Sequence, residues 1–190
     1  MSEIHQILSL YRERGHSEYG GERVTQLEHA LQTAMLAEQA NASPALIAAA
    51  LLHDVGHLVH SLPDYAPDQG VDDVHEDLGF RYLEKTFGPD VTEPVRLHVS
   101  AKRFLCATHP EYAKQLSEPS IVSLSLQGGP MTQEEVAEFE AGPFAADAVR
   151  LRMWDDLAKT ENLETPTLDD FETFLSAAAI NGRHDQGPRP

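Results

Sequence analysis

The stretch Ala45–Val59 (ALIAAALLHDVGHLV) is apolar almost all round, interrupted only by two histidines and an aspartate near its end. A helix without a polar face has no side to offer to solvent, so it must run through the middle of a domain. Ser43 and Pro44 stand just ahead of it as a hydroxyl N-cap and a first-turn proline, and together they predict one helix from Ala45 to about His60. Such a helix needs other helices to cover it, and apolar spacing elsewhere in the chain is helical, without convincing period-2 runs. The expected fold is all-α. One helical bundle should span residues 1–182, with 183–190 a disordered tail. With 190 residues and 41% apolar content, the chain is long enough for one core.

Several flanking elements are legible in the same way. Thr25 to Ala40 carries Leu27, Leu31, Ala34 and Met35 on one stripe and ends near Asn41. Ser61 to Val71 reads as a loop, and Asp73 with Glu76 as a capping pair for a helix running to about Phe87. Another helix should contain Val91 to His98, while Ser117 to Pro130, rich in serine, proline and glycine, reads as irregular. Thr132 and Glu135 form a capping box closed by Gly142 and Pro143. Phe144 to Lys159 gives a further helix, and a last one opens at Thr167 and ends near Gly182.

Buried polar groups are costly unless something pairs with them, which makes His53 and Asp54 the centre of any functional reading. Successive helical residues point about 100° apart, so both side chains can reach round one ion, and the two oxygens of Asp54 could bridge two. His57 lies one turn beyond His53, beside the metal. His29, His75, His98 and Asp155 lie on other helices and can complete the cage, as in helical bundles whose metal sites converge from several helices. Taken singly, His29 or His98 would more often be a satisfied core histidine, and Asp155 beside Asp156 a solvated acidic face. The combination favours a metal. His5, His16, His60, His109 and His184 are expected to be structural. Mixed imidazole and carboxylate ligands suit iron, manganese or zinc.

The net charge of −17 argues against nucleic acid or an anionic membrane as partner. A small anionic substrate remains compatible, because metal ions and a few focused cations reverse the potential locally. Cys106 is the only cysteine, so no internal disulfide can form. Without a leader-like or membrane-spanning stretch, a cytoplasmic location is the expectation.

The order H…HD…H…H…D on an apolar HD helix resembles the HD-domain superfamily. The narrower resemblance is to its mixed-valent diiron oxygenases, in the branch that cleaves the C–P bond of hydroxyphosphonates. Carrying it are the segments Tyr19–Glu22 (YGGE), Gln26–His29 (QLEH), His53–His57 (HDVGH), His98–Arg103 (HVSAKR), Leu126–Gly129 (LQGG) and Arg152–Asp156 (RMWDD). This resemblance implies two irons, Fe(II) and Fe(III), held by His29, His53, Asp54, His75, His98 and Asp155, with Asp54 as the bridge and O2 as co-substrate. His57, Lys102 and Arg152 would bind the phosphonate, helped by Ser120 and Ser123. Tyr19 and Glu22 would gate the metals, and Glu22 would meet the substrate's cationic nitrogen. The substrate would be (R)-1-hydroxy-2-(trimethylamino)ethylphosphonate or 2-amino-1-hydroxyethylphosphonate, giving phosphate plus glycine betaine or glycine. The small residues Ser123 and Ser125 incline the choice toward the bulkier trimethylated compound.

Two other functions compete. An HD-type phosphohydrolase would use the same metals to activate water, and a non-catalytic HD relic would act as a binding module. The relic predicts missing ligands, and none is missing. The Tyr19 and Glu22 pair favours the oxygenase.

Overall fold

The computed structural model describes residues 2–59 and 74–180. Among them the chain forms helices and no strand beyond two isolated bridges. In order these are α1 (Glu3–Arg14), α2 (Gln26–Gln39), α3 (Pro44–Leu52), α4 (Val55–Val59), α5 (His75–Leu83), α6 (Pro89–Thr108), α7 (Pro110–Ala113), α8 (Glu118–Leu126), α9 (Gln133–Glu140), α10 (Ala145–Leu157) and α11 (Glu172–Ala178). The expected loop over 61–71 and the tail over 183–190 lie outside the described residues, as does Asp73 of the expected capping pair.

Helix α3 is the central rod. Every residue from Leu46 to Leu52 is buried, and each large aliphatic among them is worth about 1.5–3 kcal/mol of burial. Helices α2, α6, α10 and α11 pack around it. Helix α1 is tied to the rod by the Tyr11 hydroxyl, which donates to the Leu51 carbonyl at 2.9 Å. The capping boxes are present at both sequence-predicted sites: Thr25 with Glu28 opens α2, and Thr132 with Glu135 opens α9. Among the described residues no helix is long and apolar enough to cross a membrane.

Three departures from the sequence reading bear on the site. The Ala45–His60 helix is in fact two, α3 and α4, broken at His53–Asp54. There the His53 ring Nδ1 lies 2.9 Å from the Ala50 carbonyl, competing for the acceptor that an unbroken helix would pair with the Asp54 N–H. Ser117–Pro130 is not irregular throughout. Ser117 caps α8, Pro119 sits in its first turn, and Ser123 and Ser125 donate to the carbonyls three residues back, so their hydroxyls are satisfied without unwinding the helix. Helix α6 runs through Pro94 to Thr108, longer than the expected segment around Val91–His98.

Helix α5 opens without a side-chain cap, on Val74 at φ 46, a left-handed conformation that is strained for a β-branched residue. Gly56 of α4 lies so close to it that a Cβ there would stand 1.9 Å from the His75 carbonyl oxygen. The absent side chain lets α4 bring His57 against His75. Gly56→Ala should therefore cost about 3 kcal/mol or more and push α5 outward. Urea unfolding would read the first effect. A loss below 1 kcal/mol on that scale would mean that the helices separate freely.

Candidate metal centre

The break between α3 and α4 turns the Asp54 carboxylate into the core, where only 5% of the residue is exposed. Its two oxygens face different histidine pairs. Oδ2 lies 3.1 Å from His53 Nε2 and 3.5 Å from His29 Nε2. Oδ1 lies 3.4 Å from both His75 Nε2 and His98 Nε2. Within each pair the Nε2 atoms approach to 3.1 Å. Asp155, reached from α10, brings Oδ1 to 3.4 Å from His29 Nε2 on the first side. Two clusters that could hold a metal result, His29–His53–Asp54 and Asp54–His75–His98, sharing one carboxylate.

The far side of the rings tests whether ions fit. His29 Nδ1 lies 2.9 Å from the Ala158 carbonyl, His53 Nδ1 2.9 Å from Ala50, and His98 Nδ1 2.7 Å from Val95. A carbonyl only accepts, so each Nδ1 carries a proton, and in the neutral ring Nε2 is then a bare lone pair. The lone pairs of His29 and His53, facing one another at 3.1 Å beside a carboxylate whose buried oxygens have no hydrogen-bond donor, repel unless a cation or proton lies between them. Ligands about 2.1 Å from one ion lie about 3.0–3.4 Å from each other, close to the spacing seen. The donor set fits two ions, one at each cluster, with Asp54 common to both clusters.

Without metal, protons take that place. Burial disfavours a charged His29, but the carboxylates of Asp155 and Asp54 beside it outweigh that and raise its pKa to about 9. His98 is raised in the same way by Asp54. Asp54 is held well below the usual carboxylate range, its desolvation outweighed by the surrounding imidazoles.

Beside the cage lie two buried cations. Lys102 on α6 donates to Ser123 Oγ at 2.8 Å, and burial, then repulsion by Arg152, lowers its pKa to about 7. Arg152 on α10 is paired with Asp155 at 2.7 Å and with Asp156. Its Nε also donates to Tyr112 Oη at 3.1 Å, and the Tyr112 hydroxyl donates to Asp156. Neither cation is the surface residue that Lys or Arg usually is.

Over the His29 side stands a tight turn. Gly20 and Gly21, at φ 49 and 82, permit a hairpin turn in which the Glu22 N–H donates to the Tyr19 carbonyl at 2.7 Å. The Glu18–Thr25 bridge closes its base. Tyr19 stacks on His29 with ring centroids 3.8 Å apart and points its hydroxyl 3.4 Å from Asp155 Oδ1. His57 stacks on His75 at 4.1 Å.

All six expected cage residues thus meet at one point, with Tyr19, His57, Lys102 and Arg152 around it. Ser123 faces Lys102, whereas Ser120 stands with Ser117 and Lys159. Asp156 closes the RMWDD segment one turn from Arg152 on α10, but Lys159 and Tyr112 have no signal in the sequence. Their partners Glu22 and Arg152 are brought to them by helix packing, and in the case of Lys159 from 137 residues away.

The HD domain profile matches residues 27–125, which include five of the six cage residues. The chain belongs to the HD-domain family. It is 47% identical over 160 residues to the [1-hydroxy-2-(trimethylamino)ethyl]phosphonate dioxygenase (glycine-betaine-forming) of Leisingera caerulea, covering 84% of this chain and 82% of that protein. It is 46% identical over 172 residues to the hydroxymethylphosphonate dioxygenase of Gimesia maris, covering 90% and 85%. Identity falls to 31% over 150 residues with a metal-dependent phosphohydrolase of Cordyceps militaris, covering 70% of this chain and 42% of that protein. Both dioxygenases match well beyond the HD profile, over a length that leaves few residues of this chain unaligned.

Metal affinity should depend on pH through His29. In the metal-free HD domain its proton stabilises the fold fully below about pH 6.5, and that contribution is lost as pH rises through about 9. An ion must displace this proton, so affinity should climb as pH rises toward about 9 and level off above it, by up to about tenfold per pH unit for each proton released. Calorimetry in buffers of different ionisation enthalpy counts the protons. Asp54→Ala should lose ions from both sides, and two ions retained by that variant would rule out the shared carboxylate.

Proposed function

We propose that this HD-domain chain is a diiron dioxygenase that cleaves the C–P bond of a 1-hydroxyphosphonate. The observation that carries the reading is Asp54 with one oxygen toward each histidine pair, in a chain 46–47% identical to two proteins named as hydroxyphosphonate dioxygenases. The names share a hydroxyl on the carbon that bears phosphorus and differ in what else that carbon carries. The shared P–C–OH unit defines the substrate class.

His29, His53, Asp54 and Asp155 would hold one iron, and Asp54, His75 and His98 the other, as a mixed-valent Fe(II)/Fe(III) pair. When bound, the irons supply the redox chemistry by which O2 takes four electrons from C1, which loses its hydrogen and its phosphorus and leaves as a carboxylate. The chain's own residues do the rest. Lys102 and Arg152 would neutralise the phosphonate, with Ser123 and His57 orienting its oxygens through hydrogen bonds. Arg152 is held rigid by Asp156 and Tyr112, so less freedom is lost on binding. Tyr19 covers the His29 side and would keep water out until substrate moves it. Burial, then the nearby carboxylates of Asp155 and Asp54, keep its phenol protonated. A cytoplasmic location, in keeping with a single cysteine, belongs to the same reading.

The phosphohydrolase reading keeps the same cage and has one relative in its favour, matched over less than half of its length. Oxygen separates the two. With ferrous iron and hydroxymethylphosphonate, air-saturated buffer should give phosphate and consume O2 one for one, and rigorously anaerobic buffer only trace phosphate. Equal release in both would establish hydrolysis instead. Lys102→Met should raise KM for the phosphonate by about tenfold or more, consistent with a lost charge-assisted contact of about 1.5–3 kcal/mol.

A further inference from the structure

The acidic partner expected for a cationic nitrogen is already engaged. Glu22 Oε1 accepts from Lys159 Nζ at 2.9 Å, and the two side chains are only 16% and 15% exposed. Lys159 uses its other donors on Ser117 Oγ and Ser120 Oγ, both at 3.1 Å, so all three ammonium hydrogens have acceptors. Burial would raise the Glu22 pKa, but hydrogen bonds from Lys159 and Ser117 and the lysine's charge outweigh it and keep the carboxylate ionised.

The lysine is not a wandering surface cation. Its chain neighbours are bonded to α2: Ala158 through its carbonyl to His29 Nδ1 at 2.9 Å, and Thr160 through its N–H and carbonyl to Gln32 at 3.0 and 2.9 Å. Its ammonium also lies 5.9 Å from the centre of the Tyr19 ring. It therefore stands directly behind the ring that covers the cage.

Helix α8 relates this pair to the phosphonate end. Ser123 receives Lys102 and Ser120 receives Lys159. Three residues along a helix rise about 4.5 Å, roughly the reach of a two-carbon chain. A phosphonate seated by Lys102 would therefore project its next substituent toward Lys159 and Glu22.

Resting on the function proposed above, we infer that Lys159 is a specificity-determining residue: it neutralises Glu22 and sets the site for hydroxyphosphonates with no cationic substituent. An ammonium group on the second carbon would meet a like charge at Lys159. Glu22 could turn to it only by leaving that lysine without a counter-charge in a largely covered site, with two hydroxyls as its remaining acceptors, which is costly. Hydroxymethylphosphonate, which has no second carbon, meets neither obstacle. Of the two dioxygenase relatives, the structure sides with the substrate class of the one named for that compound.

The test uses the iron-loaded full chain with hydroxymethylphosphonate, 2-amino-1-hydroxyethylphosphonate and its trimethylated analogue. Anaerobic calorimetry reads binding, and aerobic phosphate release reads kcat/KM. The wild type should favour hydroxymethylphosphonate over both cationic compounds in both readouts. Lys159→Met should shift the kcat/KM ratio toward 2-amino-1-hydroxyethylphosphonate by at least about tenfold, equivalent to 1.4 kcal/mol, and Lys159→Arg should keep the wild-type order. Adding Glu22→Gln to Lys159→Met should remove the shift. A wild type that binds either cationic compound more tightly overturns the inference, as does a Lys159→Met shift below tenfold. The binding order of the wild type stands as a test if the variants fold poorly. Failure of all three compounds to release phosphate in air would count against C–P cleavage alone, since the binding order still reads Lys159.

Discussion

The structure depends on a carboxylate placed where a carboxylate should not be. Asp54 is buried with both oxygens turned to imidazole nitrogens and none to a hydrogen-bond donor of the ordinary kind. An isolated charge in such a place costs many kcal/mol. It is tolerated because four histidines converge on it and because the arrangement invites cations. Other local features serve that convergence. The helix break at His53–Asp54 aims the carboxylate, Gly56 lets α5 approach with His75, and three main-chain carbonyls fix the ring tautomers. The last of these is how proteins commonly orient metal-binding histidines.

A second constraint follows from charge. The chain carries 14 basic residues against 31 acidic ones, yet three of the basic side chains crowd one corner of the core. Lys102, Arg152 and Lys159 are each largely covered and each paired with an oxygen. The acidic surface repels anions at long range, while this corner reverses the sign at short range, where low dielectric makes each charge count for more. The corner has two parts with different tasks. Lys102 and Arg152 lie beside the cage. Lys159 lies behind Tyr19 and holds Glu22, so that part is closer to neutral. The division of cations between a charged pocket and a neutralised carboxylate is a feature of side-chain packing and has no counterpart in net charge.

Much of this was legible in the sequence because it is local. Capping boxes at Thr25 and Thr132, the Ser43–Pro44 helix start, and an apolar rod ending in His-Asp are patterns within three or four residues, the range over which helical physics operates. Ligand types were legible too, since a histidine or aspartate on an apolar helix must find a partner. The errors were also local. Serine, proline and glycine over 117–130 suggested irregular chain, but the serine hydroxyls fold back onto helical carbonyls. The break at His53–Asp54 was hidden because a continuous apolar run looks the same whether or not a side chain captures a backbone acceptor.

The sequence by itself determined an all-α chain, a buried His-Asp step and a supply of histidines able to join it. Only the tertiary structure decided which oxygen of Asp54 faces which pair, that Arg152 is braced by Tyr112, and that Glu22 belongs to Lys159. The reason is range. Helix formation is settled by neighbours a turn apart, whereas the Glu22–Lys159 contact joins residues separated by 137 positions. Such contacts exist only once α2 and α10 have packed around the rod.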